Sequence, residues 1–318
     1  MDKYSLSTDE VVTFSKNGWI GPFDLGMESN IIDSCCFRSE EIVEKKLVSP
    51  LYSKHSVRDW HLIENNYLDL FKQEQIVHRV KSIFNGENIK LWRSKIFVTP
   101  KNGRGIGWHQ EWGHFNGEEI GNNIPALKPL NFDVSWNLSV WVALNDITIE
   151  RSPMQFLTGS HKHRYEIKMV PMCDSAFFVN PFDKIESKDE LVQQIKESTI
   201  LLDINTTTLL DGIEQKSISL DELKKVCWEK MQKFSAAVTL PFDTEDGEET
   251  LLMKKGHFVI FSERTMHRSL PNLTDGNRVA INCRMTPAST EVYPGKKEGK
   301  VIDGSNLDIT KHECVELS

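Results

Sequence analysis

No run of apolar residues in this 318-residue chain approaches the ~20 needed to cross a bilayer, which excludes a membrane-spanning helix. A surplus of positive charge is also missing. The net charge is -8 at pH 7, the wrong sign for a bulk nucleic-acid binder. The opening MDKYSLSTDE has no apolar stretch behind a basic end, so no secretory signal is expected. Cys35, Cys36, Cys173, Cys227, Cys283 and Cys314 fall at no zinc-ligand spacing, and nothing about them implies an oxidising compartment. The adjacent pair Cys35-Cys36 admits a redox reading, against the simpler one of reduced thiols packed as small apolar residues. There is no internal repeat and no low-complexity tract. What remains is ordinary globular composition, 39% hydrophobic and 26% charged, with length enough for a sizeable core. The expectation is a soluble, cytoplasmic protein, its residues 1–318 forming one domain although the length alone would permit two.

Helical signals dominate the first third. Ser7-Thr8-Asp9-Glu10 reads as a capping box opening a helix with Val11, Val12 and Phe14 on its apolar side, stopped by Asn17-Gly18. A second helix is expected around Asn30 to Ser39. A third apolar run, Trp60 to Phe84, takes helical spacing in its later part and ends at Asn85-Gly86. From residue 89 the texture turns to strands: Ile89 to Val98, Leu138 to Leu144, Met154 to Leu157, His257 to Phe261 and Arg278 to Met285. Helices first and strands later predict an α+β, mainly β fold. Residues 166–250 interrupt the strand rhythm. There Lys188 to Glu197 and Leu220 to Phe234 predict helices, and Ser235 to Leu240 a short strand. This helical insertion reads either as a lid over a barrel mouth or as an excursion serving assembly or nothing at all. The tail from about 295 is expected to be loose.

Trp108-His109-Gln110-Glu111 sets an imidazole and a carboxylate two residues apart, on one side of an extended strand. His267 supplies a second imidazole far downstream. Two His and one carboxylate on one face of a metal leave positions open, a set suited to non-haem iron(II). A lone H-x-E is weak on its own, since a structural histidine explains it as well. His267-Arg268-Ser269-Leu270-Pro271-Asn272 followed by Arg278 strengthens it. The spacing allows His267 and Arg278 to lie on neighbouring strands joined by the loop Asn272 to Asn277. An arginine in the apolar strand Val279-Ala280-Ile281 is suited to bidentate pairing with a carboxylate.

These motifs resemble the phytanoyl-CoA dioxygenase family, within the 2-oxoglutarate oxygenases. Trp108-His109-Gln110-Glu111 is similar to the family's W-H-Q-D. Val140-Trp141-Val142-Ala143-Leu144-Asn145-Asp146 and Leu157-Thr158-Gly159-Ser160-His161-Lys162 are similar to V-W-I-A-L-x-D and P-G-S-H-K. The third anchor is His267-x-Ser269-x-x-Asn272 with Arg278, and the anchors occur in the family's order. The resemblance implies a double-stranded β-helix, a jelly-roll or cupin-like barrel with flanking N-terminal helices. It also implies Fe(II) on His109, Glu111 and His267, with 2-oxoglutarate and O₂ as co-substrates. Arg278 then binds the far carboxylate of 2-oxoglutarate, Ser269 and Trp141 help seat it, and Arg93 contacts either the co-substrate or the substrate.

The sequence departs from the pattern at three places. Glu111 stands where the family has Asp, which still provides a carboxylate and argues against a halogenase, since similar halogenating enzymes lack one. His257 follows Gly256 where an acidic residue is usual, and Thr158 replaces a proline. His161-Lys162-His163 with Glu166 mimics a cupin metal box, but its spacing is wrong and the resemblance makes it a structural turn. His114 reads as a substrate contact or a solvated loop residue. Lys95 and Arg93 suggest an anionic or carboxylated small-molecule substrate, and Trp112 and Phe115 are candidate pocket walls, or simply packing residues. Two readings of different class stay open: a catalytic oxygenase, or a relative that binds a ligand or partner on the same barrel. A zinc hydrolase would have no need of Arg278.

Overall fold

The computed structural model describes residues 2–52, 54–103, 105–110, 127–130, 137–165, 167–168, 182, 185–197, 207–232, 237–238, 247–292, 296–297, 300–301 and 314–318. Helix α1 (Thr8–Asn17) has both arms of its capping box. Glu10 N–H donates to Ser7 Oγ, and Ser7 N–H donates to the Glu10 carboxylate at 2.8 Å. It ends at Gly18, whose φ of 82° is left-handed backbone that glycine adopts without penalty. Of the expected apolar side, Phe14 is buried but Val12 is exposed. Helix α2 (Ser29–Glu44) runs five residues past the expected Ser39, burying Ile32, Cys35 and Ile42. The run from Trp60 divides into a single 3-10 turn, α3 (Asn65–Phe71) and α4 (Glu74–Ile83).

The strands of the two larger sheets are β1 (Trp19–Asp24), β2 (Ile89–Thr99), β3 (Ile106–His109), β4 (Leu138–Ala143), β5 (Met154–Leu157), β6 (Glu248–Leu251), β7 (His257–Ser262), β8 (His267–Ser269), β9 (Arg278–Pro287) and β10 (Val315–Leu317). Six of them form an antiparallel sheet in the order β1-β7-β4-β9-β2-β10, and four form a second in the order β6-β5-β8-β3. The chain crosses between the sheets as it goes: β4 to β5, then β7 to β8 to β9. That winding is the double-stranded β-helix of a jelly-roll barrel, in a mainly β, α+β fold. It corrects one expectation. His267 and Arg278 are not on neighbouring strands, because β8 and β9 belong to different sheets. The short link between them passes from one wall of the barrel to the other.

All of β4 is buried, because the large sheet is covered on both faces. Leu138, Val140 and Val142 pack outward with Phe14, Ile42, Leu70 and Phe71 of the helices. Trp141 and Ala143 point inward, to a second core with Met154, Phe156, Val259, Phe261 and Ala280. A bulge in β2 decides which of its residues join that interior. Arg284 pairs with Arg93 but Met285 pairs with Leu91, so Trp92 is an extra residue. Ile89 and Leu91 before it, and Ile96 after it, all face the helices. The parity change therefore turns Arg93, Lys95 and Phe97 into the barrel.

The expected insertion has an apolar cluster of its own. Helices α5 (Lys188–Lys196) and α6 (Leu220–Gln232) contribute Leu191, Ile195, Leu223 and Cys227, joined by Phe182, Leu209 and Leu210. Of the expected strand Ser235 to Leu240, Ala237–Val238 pairs with Ile167–Lys168 beside β3, and the rest lies outside the described residues. Strand β10 adds at the edge of the large sheet on β2. No helix among the described residues is long and apolar enough to cross a membrane.

Candidate functional site

His267 opens β8 and His109 closes β3. They are direct cross-strand partners, with ring centroids 4.1 Å apart. Each ring is aimed in the same way: its Nδ1 donates to a carbonyl two residues back, Thr265 O at 2.7 Å for His267 and Gly107 O at 2.8 Å for His109. Such bonds fix the tautomer and make Nε2 the metal-facing nitrogen. Phe261 and Phe156, with centroids 5.0 and 6.3 Å from His267, hold that ring from the interior side. Glu111, Trp112, His114 and Phe115 lie outside the described residues, among which no cluster of three metal-binding side chains occurs. The fold thus brings the two predicted imidazoles together at the end of β3 from which Glu111 follows.

Ser269 lies two residues beyond His267, on the same face of β8, and its Oγ accepts the Ile106 amide at 3.0 Å. The two short strands touch closely at this point. A Cβ on Gly105 would stand 2.0 Å from the Ser269 carbonyl oxygen. Gly105→Ala is therefore expected to push β3 from β8 and spread the histidines. Overpacking of this kind costs about 1–3 kcal/mol. Thermal unfolding should show that loss, and cobalt(II) titration should show weakened metal binding beside it.

Arg278, the first residue of β9, is buried at 2% exposure. Its Nη2 donates to Ser152 Oγ at 3.2 Å and its guanidinium lies 5.5 Å from the centre of the Trp141 ring. Nε and Nη1 are buried without a hydrogen-bond partner, and burial pulls the pKa down to about 10. A buried guanidinium with unmet donors is costly unless an anion meets it. Sequence reasoning missed Ser152, which is fully buried, takes a φ of 46° and donates to Leu270 O at 2.6 Å. Nothing in Arg151-Ser152-Pro153 signals that role. Asn272 has a plainer one: its amide donates to Thr99 O and Gly276 O and shapes the loop that delivers Arg278.

Arg93 and Lys95 both lie on the interior face of β2, though far from Arg278, which pairs with Thr99. Arg93 sits opposite Arg284, in the row of Ser139 and Phe261, at the level of His267. Both guanidinium groups lie 5.9 Å from the Trp92 ring, and Arg284 pairs with buried Glu263 at 3.3 Å. Lys95 lies opposite Asn282, its ammonium 5.4 Å from the Phe97 ring. Arg284 and Glu263 had no motif to point them out. The remaining candidates are structural in their contacts. His161 faces Ser15 O at 3.1 Å through Nε2 and burial lowers its pKa. Burial pushes Cys35 up to about 12 and Cys36 to about 11, the opposite of a reactive thiolate.

The model of the phytanoyl-CoA dioxygenase (PhyH) family matches residues 44–280, most of the chain. The chain belongs to that family. A probable alpha-ketoglutarate-dependent hypophosphite dioxygenase of Stutzerimonas stutzeri is 31% identical over 106 residues. That match takes in 33% of this chain and 32% of the relative, so the chain spans about a third of the length of the curated protein it matches. The solved structure of CytC3 with Fe(II) and alpha-ketoglutarate is similar over 98% of this chain and 88% of that one, with TM-score 0.54 and 19% identity. The non-heme alpha ketoglutarate dependent epimerase SnoN from nogalamycin biosynthesis is similar over 90% and 82%, with TM-score 0.52 and 12% identity. At these identities the likeness is one of fold.

Proposed function

We propose that this chain hydroxylates a small anionic molecule, an amino-acid derivative or natural-product intermediate, with release of succinate and CO₂. The observation that carries the reading is Arg278: a buried guanidinium with two unmet donors, in the same barrel as a pair of backbone-oriented histidines. That combination fits iron at one end and a dicarboxylate reaching to the other. His109, His267 and Glu111 would hold the metal. Arg278, with Ser152 behind it, would grip the distal carboxylate against Trp141, and Ser269 lies on the same strand as His267 to meet it. Bound iron and co-substrate supply oxidative decarboxylation of 2-oxoglutarate coupled to oxidation of the substrate.

The chain's own part is to place and shield the reactants. Phe156, Phe261 and Trp19 make the wall beside His267 apolar, which keeps water off that side. Arg93 and Lys95 stand on the opposite sheet near the histidine level, away from Arg278, and so are assigned to an anionic group of the substrate. The hypophosphite in the name of the Stutzerimonas stutzeri relative is likewise an anion. Trp112 and Phe115 are assigned to the pocket in this reading and the 166–250 insertion to its lid, since Ala237–Val238, paired with Ile167–Lys168, runs beside β3. The epimerase among the fold relatives supports a second outcome at the same site, in which hydrogen abstraction ends in epimerisation, cyclisation or desaturation.

The test is succinate formation by anaerobically purified protein given iron(II), 2-oxoglutarate and air, with Glu111→Ala alongside. Iron-dependent succinate from the wild type alone supports the oxygenase. If the wild type binds neither iron nor 2-oxoglutarate, the reading fails and a binding-only relative on the same barrel takes its place. Product analysis with an accepted substrate then separates hydroxylation from the other outcomes.

A further inference from the structure

Gln110 stands beside His109, yet it is not a metal-ligand type of residue. It is buried at 7% exposure, and every hydrogen-bonding group of its amide is used. Nε2 donates to Arg264 O at 2.8 Å and to His163 O at 3.1 Å, while Oε1 accepts the Tyr165 amide at 2.7 Å. Only one of the two amide orientations satisfies all three bonds, since carbonyls must be met by N–H and the amide N–H by oxygen. The partners belong to two separate segments. His163 and Tyr165 follow the 3-10 turn Ser160–Lys162, and Arg264 precedes Thr265, whose carbonyl aims the His267 ring.

The place where this happens is the weak point of the ladder. His267 pairs with His109 and Ser269 with Ile106, so three steps on β3 face two on β8. A bulge of this kind leaves the relation of the two histidines under-determined by backbone pairing alone. The turn before His267 is otherwise tied from different directions: Thr265 Oγ1 donates to Gly18 O at 2.8 Å and the Met266 amide donates to Ser160 Oγ at 2.8 Å. Gln110 ties this turn to the end of β3 by a hydrogen bond to the Arg264 carbonyl, beside the apolar packing of Trp108 against Met266.

We propose that Gln110 is a positioning residue, whose amide fixes the separation of His109 and His267 and so sets the bite of the metal site. This rests on the reading of the two histidines as ligands. A bond network behind metal ligands is worth about 10–100-fold in metal affinity.

The test compares wild type, Gln110→Met and Gln110→Asn in cobalt(II) titration, the visible spectrum of the cobalt complex, and thermal unfolding without metal. Gln110→Met keeps the volume and removes all three bonds, whereas Gln110→Asn keeps the amide and loses reach. The expected result is a 10–100-fold weaker cobalt affinity with altered ligand-field bands, beyond what any change in unfolding temperature accounts for. Should Gln110→Met fail to fold, Gln110→Asn supplies the same readouts. Unchanged affinity and bands with a lowered unfolding temperature would overturn the proposal and leave Gln110 as packing. A wild type that binds no cobalt would instead strike at the assignment of His109 and His267 as ligands.

Discussion

Arg278→Met is expected to stabilise the ligand-free protein while nearly abolishing its use of 2-oxoglutarate. The substitution keeps a long side chain against Trp141 and removes a buried cation whose Nε and Nη1 have no partner. Replacing buried ionic groups by apolar ones of similar volume commonly gains about 1–4 kcal/mol. The same substitution deletes two charge-assisted hydrogen bonds to the co-substrate. At about 1.5–3 kcal/mol each, the loss corresponds to roughly 10²–10⁴-fold in kcat/KM for 2-oxoglutarate. The pH dependence has a definite sign. Burial places the folded pKa at about 10, below the ordinary arginine value, so the unfolded chain holds the proton more tightly. The wild-type penalty is thus in full force below pH 10 and is relieved as pH rises through that value. At neutral pH the guanidinium is charged and ready for an anion. Chemical denaturation at pH 7, with and without 2-oxoglutarate in the presence of a redox-inert divalent metal, checks both signs. A destabilised Arg278→Met that still responds to 2-oxoglutarate would contradict the assignment.

The second large effect is expected from His267→Ala. With three protein ligands sharing the metal's binding energy, each is worth about 3–4 kcal/mol, hence roughly 10²–10³-fold in affinity. Succinate production should fall to background at micromolar iron. The variant also loses the Nδ1 bond to Thr265 O and leaves space between Phe261 and Phe156, which costs stability of about 2–3 kcal/mol. His267→Gln separates the two effects, because it fills more of the space yet removes the imidazole. If His267→Gln retained wild-type cobalt affinity, the histidine would be a core residue and the metal would have to sit elsewhere.

Residues that act through local chemistry were legible in the sequence. The capping box at Ser7 and Glu10, the stop at Gly18 and the strand Met154–Leu157 follow from rules that reach only a few residues. The meeting of His109 with His267 was legible because the motifs carry it. What stayed hidden depends on pairing over long distances. The spacing of His267 and Arg278 suits adjacent strands, and only the jelly-roll winding sends them to facing sheets. Ser152 acts through a left-handed backbone and a contact 126 residues away, neither of which leaves a mark on its neighbours in sequence. Gln110 was visible as a motif letter, but its three partners come from turns 53 to 154 residues distant.

The bulge at Trp92 makes this wall of the pocket tolerant of a change in chain length. Substitutions along β2 alter the wall one side chain at a time, whereas loss of this single residue would leave the flanking pairs, Leu91 with Met285 and Arg93 with Arg284, in the register they already hold. Leu91 and Arg93 would then alternate as ordinary neighbours, with Arg93, Lys95 and Phe97 still on the interior face and Ser94, Ile96 and Val98 still on the helix face. A relative one residue shorter at this point can therefore present the same cationic wall. Relatives are best compared along this strand by counting from each side of the bulge separately.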